Sequence, residues 1–151
     1  MDESVEIARP PDEVARYLFD WRNDPEWIGG IEEARLLGDE SELRTGSQVE
    51  RVASFLGRRI EYVLEVEEYE PGALLAMRSV RGPFPMTVGY EVSDAPPGTR
   101  VRVLVGGDAS GFHRVAGPLL NLQARRSIAA DLRRLQRLLE ARQDARDGRS
   151  L

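Results

Sequence analysis

The chain has 151 residues, a length that suits one domain of ordinary size. With 41% hydrophobic and 31% charged residues it has a soluble globular composition, and no apolar run approaches the ~20 residues that span a bilayer. Cysteine is absent, which excludes disulfides, thiolate nucleophiles and cysteine metal sites together.

The acidic opening MDESVEIARPPDE lacks the apolar core of a signal peptide, so the expected location is cytoplasmic. From Ala116 onward eight arginines face four acids, a local balance of +4; in a chain of net charge -5 the remainder carries about -9. Every basic residue is arginine. A basic C-terminal helix reads either as a surface for anionic lipid or nucleic acid, or as a solvated face with its own ion pairs. The acidic remainder would repel phosphates, and no nucleic-acid partner is expected.

Ser4 to Ala8 reads as a first strand with Val5 and Ile7 on one face. In RPPDEVARYLFD, Pro11 suits the first position of a helix, Asp12 and Glu13 favour its positive end, and Val14, Tyr17 and Leu18 form its apolar stripe. NDPEWIGG repeats the pattern on a smaller scale, with Asp24 as cap, Pro25 as start and Gly29-Gly30 as stop.

A run of strands follows. Ile31–Leu37 and Gln48–Phe55 come first. Ile60–Tyr69 is the clearest, with Ile60, Tyr62, Leu64 and Val66 on one side. Leu74–Val80, Met86–Val92 and Thr99–Val105 complete the set. Pro83 and Pro85 lack amide donors and belong in a turn or strand entry. GFHRVAG reads as a short helical piece, and a long helix is predicted from Pro118 to about Arg142. Its Ile128, Leu132, Leu135 and Leu139 recur at helical spacing. The domain is expected over 1–142, with 143–151 as a disordered tail.

Short connections between strands favour an antiparallel meander. Seven strands make a sheet roughly 30 Å wide, whereas one helix is about 10 Å across. The sheet must therefore curl around the helix, with the two short helices closing one end. Space left between them would be concave and mostly apolar.

This order of elements resembles the START-like superfamily, also called SRPBCC or Bet v 1-like. The matching stretches look like its polyketide cyclase/dehydrase and lipid-transport branch: VEIARPPDEVARYLFD, PEWIGGI, RTGSQV, VEEYEPGALLAMRSVRGPFPMTVGYEV, PPGTRVRV and ARRSIAADLRRLQRLLE. They cover nearly the whole chain in family order. The resemblance implies an α+β helix-grip fold: a curved seven-stranded antiparallel sheet wrapped around the C-terminal helix, with two short helices after the first strand. It is a poor guide to activity, because one fold hosts many functions. No catalytic residue is carried over from it.

Several residues could line such a cavity. Tyr62, Leu64, Met77, Met86, Val88 and Tyr90 sit on strand faces predicted to turn inward, and the tyrosines could orient a ligand carbonyl or simply belong to the core. Arg78 would hold an anionic or carbonyl group if turned inward and be ordinary surface if turned out. Asn121, Arg125 and Ile128 extend the helix stripe toward a polar cavity end, or to where the helix emerges into solvent. Trp21 and Trp27 either gate the cavity or anchor the small helix. His113, the one histidine, reads as a general acid or base near the mouth, or as an exposed or capping residue. No metal-ligand spacing, phosphate-loop pattern or nucleophile elbow is present, and no metal or cofactor is expected.

The leading functional reading is a binding domain for a hydrophobic small-molecule ligand: a lipid, polyketide-like or isoprenoid compound. The alternatives are a polyketide cyclase or dehydratase, which folds its substrate and polarises a carbonyl, and a protein-interaction module. Nothing in the sequence fixes the oligomeric state.

Overall fold

The computed structural model describes residues 1–55, 57–83, 85–106 and 124–142. Strand β1 (Asp2–Ile7) leads into helix α1 (Pro11–Leu18), a 3-10 turn (Trp21–Asn23) and helix α2 (Asp24–Trp27). Six strands follow: β2 (Ile31–Leu36), β3 (Gln48–Phe55), β4 (Arg58–Glu70), β5 (Leu74–Arg81), β6 (Thr87–Ala95) and β7 (Gly98–Gly106). Helix α3 spans 124–142. The predicted start at Pro118, the GFHRVAG piece and the tail over 143–151 lie outside the described residues.

The seven strands form one antiparallel sheet in the order β1-β7-β6-β5-β4-β3-β2. Residues directly opposite one another share a face, so the register identifies the concave side. Tyr90 lies between Leu75 and Val103, Met77 between Val66 and Val88, and Tyr62 faces Arg51. Register shifts at Ile31/Glu33, Val63/Leu64 and Val66/Glu68 bend β2 and β4, as bulges do, and curl the sheet into a half-barrel.

Leu132, Leu135 and Leu139 are buried completely, or almost so, in the core cluster on that concave side. The C-terminal part of α3 is also tied down by polar bonds. Gln136 Nε2 donates to the Glu6 carbonyl at 2.8 Å, and Glu140 accepts from the Ala8 amide at 3.2 Å. Asp131 Oδ1 accepts from the Gly29 amide at 2.9 Å, and Arg134 donates to the Trp27 carbonyl at 3.2 Å. Arg142 lies over the Tyr17 ring, 4.6 Å from its centroid.

Element bounds differ from the sequence reading mainly at strand ends. β1 starts at Asp2 because it pairs with β7 as far as Leu104. β6 and β7 reach Ala95 and Gly98, leaving Pro96 and Pro97 alone at the turn. Asp24 is no cap. It is the first residue of α2, whose N-cap Asn23 makes no side-chain cap bond, and Asp20 caps the preceding 3-10 turn by accepting from the Arg22 amide. Gly82 adopts a φ of +139° where the chain leaves β5, and a Cβ there would sit 2.6 Å from that of Tyr62.

Candidate functional site

The concave face carries one polar cluster in its apolar lining. Arg51 on β3 points inward beside Tyr62, and its side chain is 4% exposed. Its Nε donates to Asp24 Oδ2 at 3.0 Å, and its Nη2 lies 2.9 Å from the same oxygen. Nη2 also donates to Tyr90 Oη at 3.0 Å. The Trp27 ring meets Tyr90 edge-on with centroids 5.7 Å apart. Three separate segments thus converge: α2 supplies Asp24 and Trp27, β3 supplies Arg51, and β6 supplies Tyr90.

Burial dominates the electrostatics. It works against the Arg51 charge, but Asp24 and the nearby tyrosines outweigh it and hold the guanidinium well above the ordinary arginine value. Burial raises the Asp24 pKa, with the Arg51 charge and hydrogen bonds pulling the other way. The Tyr90 phenol is pushed up to about 12, first by burial, against the pull of Arg51. The cluster is therefore an Arg51 cation paired with Asp24, with a protonated phenol beside it.

One donor of the cluster is unmatched. Among the described residues Tyr90 Oη accepts from Arg51 but finds no acceptor for its own hydrogen. Trp27 Nε1 is buried without a partner among the described residues. An adjoining cavity, bordered by Asp24, Arg51, Tyr90, Leu75 and Met77, has a volume of about 10 Å³, room for about one water. A larger open depression of about 670 Å³ lies where β1, β5, β6 and β7 meet the start of α3. Met77, Val88, Val105 and Arg125 contribute to its lining, so Met77 borders both spaces.

The structure brings most of the sequence candidates together. Leu64, Met77, Val88 and Tyr90 are buried in one core cluster, and Tyr62, Met86 and Ile128 pack against it partly exposed. Arg125 is exposed on the first described turn of α3. Asn121 and His113 lie outside the described residues. Arg78 requires a correction: it stands on the convex face, half exposed, with ion pairs to Glu65 at 3.3 Å and Glu67 at 3.0 Å. Strand alternation decides this, because Met77 next to it turns inward. Trp27 is a buried anchor, whereas Trp21 is partly exposed beneath the Arg22 guanidinium.

Sequence reasoning missed Arg51 and Asp24. In QVERVASF both alternating faces carry a valine, so the pattern does not say which side is inside. The available signal was a charged residue, Arg51, in the same alternating set as Val49 and Ala53.

The sequence profile described as polyketide cyclase / dehydrase and lipid transport matches residues 1–140. None of the curated proteins matches the chain in sequence. Among solved structures, protein NE0264 from Nitrosomonas europaea is similar at a TM-score of 0.76 and 18% identity, covering 95% of this chain and 96% of its own. A START superfamily protein from Mycobacterium smegmatis gives 0.73 at 16% identity, covering 93% and 97%. The Zhui aromatase/cyclase from Streptomyces sp. R1128 gives 0.72 at 16% identity, covering 94% and 93%. At such identities the likeness is one of fold. No helix among the described residues is long and apolar enough to cross a membrane.

Proposed function

Because the chain belongs to the polyketide cyclase/dehydrase and lipid transport family, we propose that it binds an apolar or aromatic small molecule bearing an acceptor oxygen. The candidate class is a lipid, polyketide-like or isoprenoid compound, received between the concave sheet face and α3. The observation that carries this reading is the buried Tyr90 hydroxyl, which accepts from Arg51 and has no acceptor of its own among the described residues. A buried donor without an acceptor costs about 1–3 kcal/mol, so a ligand oxygen placed there would be held selectively. Apolar contact would come from Leu64, Met77 and Val88, with Tyr62 and Ile128 at the margins. Met77 is unbranched and adaptable, and it borders both the small cavity and the larger depression.

A carrier role is favoured over a cyclase or dehydratase. Proton-transfer catalysis works best with a group that titrates near the operating pH. In the cluster, Tyr90 is pushed up to about 12, Arg51 stays charged, and Asp24, whose pKa burial raises, is tied to Arg51 through Oδ2, which suits holding an oxygen rather than moving a proton.

The test is native mass spectrometry of the purified protein for a co-purified compound, followed by titration with fatty acids, anthraquinone and anthracene. The expected result is binding with a preference for anthraquinone over anthracene, and a smaller preference in Tyr90→Phe. No binding across the panel would remove the proposal. An unchanged preference in the variant would remove the role given to the cluster.

A further inference from the structure

We propose that the outer face of α3 is a docking surface for anionic lipid bilayers. Arg126, Arg133 and Arg137 are exposed and, among the described residues, have no acidic partner. At about 100° per residue, separations of seven and four place them within ~20° of one line along the helix. That line runs opposite the buried stripe of Leu132, Leu135 and Leu139. It extends over ~16 Å at 1.5 Å per residue. Arg125, also exposed and without an acidic partner among the described residues, flanks its start.

The charge is uncompensated for a specific reason. The two acids of the described helix are engaged elsewhere: Asp131 accepts from the Gly29 amide and Glu140 from the Ala8 amide. Arginines on the sheet are treated differently. Arg35, Arg78, Arg100 and Arg102 each have an acid within 3.3 Å. Among the described residues three arginines without an acidic partner thus share one side of α3, whereas Arg58 and Arg81, also without an ion pair, lie singly on β4 and β5 of a chain whose net charge is -5.

A straight line of cations on a convex cylinder meets a flat anionic surface along its whole length. Acids on the convex sheet face lie beyond the helix and the sheet, at more than the ~8 Å Debye length of physiological salt, so they oppose this contact weakly. No aromatic side chain is interleaved at the exposed positions to stack on bases, which argues against a single-stranded nucleic acid. The choice of a bilayer over an acidic protein rests on the ligand reading above, since an apolar cargo is stored in membranes.

The test is sedimentation of the full chain with vesicles of phosphatidylcholine alone and with about one-third phosphatidylglycerol, at physiological salt. Wild-type protein is expected to sediment with the anionic vesicles only and to be released by high salt. Each arginine near the surface contributes roughly a fivefold gain, so Arg126→Gln/Arg133→Gln/Arg137→Gln should weaken binding on the order of a hundredfold. Removing the same charge from the sheet with Arg35→Gln/Arg58→Gln/Arg100→Gln should leave docking intact, and circular dichroism checks that both variants fold. The proposal is overturned if wild-type protein stays in the supernatant, if the helix variant sediments like wild type, or if the sheet variant loses binding equally. Tighter binding to polyglutamate or duplex DNA than to vesicles would also overturn it. The vesicles contain no compound from the ligand panel, so their outcome bears on the docking surface alone.

Discussion

Arg51 and Tyr90 meet at 3.0 Å although two strands, β4 and β5, lie between theirs in the sheet. Three strand steps in a flat sheet are about 14 Å. The contact exists because the sheet curls and because both side chains are long and reach across the trough. It joins opposite walls of the half-barrel, and Asp24 fixes the guanidinium from the helical side at 3.0 Å.

Removing one member of this ion pair should be far worse than removing both. Arg51→Met leaves a buried carboxylate without its cation, and a loss of about 3–5 kcal/mol is expected. Asp24→Asn/Arg51→Met should recover part of that loss. Denaturant unfolding of the two variants and wild type measures the coupling. A double variant no more stable than Arg51→Met would contradict the assignment.

Alkaline pH should weaken the fold through its buried phenols. The folded pKa of Tyr90 is raised from 10.0 to about 12. Tyr17 is raised as well, by burial and then by its 2.6 Å hydrogen bond to Glu26. A raised pKa means the folded state holds the proton longer. The stabilisation is full below pH 10 and is lost as pH climbs toward 12. Stability measured across this range should fall, and less steeply in Tyr90→Phe. Absorbance titration of wild type should show delayed phenolate formation.

Asp131 offers a comparison on the acid side. Burial raises its pKa above the ordinary 3.8, against the Gly29 amide and Arg134. Its favourable contribution is therefore present below 3.8 and is lost as pH rises through the folded value. Asp131→Asn retains an acceptor for Gly29 without a charge to bury. Relative to wild type, the variant should gain stability from pH 3.8 upward and level off at higher pH. Paired unfolding curves at several pH values test this, and a constant difference would refute it.

Two glycines separate backbone preference from collision. Gly72 has a φ of +85° with nothing within 4 Å of a Cβ, so Gly72→Ala should cost about 1–2 kcal/mol. At Gly82 the Cβ would also meet that of Tyr62 at 2.6 Å. Overpacking of this kind adds about 1–3 kcal/mol, so Gly82→Ala should be clearly the worse of the two by thermal unfolding. Equal losses would mean that the loop moves aside freely.

Much of the fold is legible from periodicity alone. Gln48–Phe55 is bounded correctly, and Tyr62, Leu64 and Val66 fall on one face as their spacing dictates. The alternation through Met77 also determines that Arg78 points out. The site is less legible. Arg51 is buried because Asp24 waits for it, 27 residues away. Asp24 precedes a proline and reads locally as a helix cap, a role that sequence position suggests and tertiary pairing overrides. Nor can any sequence pattern reveal that the Trp27 indole lacks an acceptor. Such shortages arise only when segments distant along the chain are packed together.

The pairing of β1 with β7 has a temporal consequence. Asp2 lies opposite Leu104, and Ile7 opposite Thr99. During synthesis at about 5–20 residues per second, β1 spends roughly 5–20 s without its eventual neighbour. Its edge is solvated or shielded by other molecules throughout that interval. The half-barrel can close only after nearly the whole sheet has been made, so a ribosome stalled in β5 or β6 would hold a nascent chain with an unclaimed edge at each end.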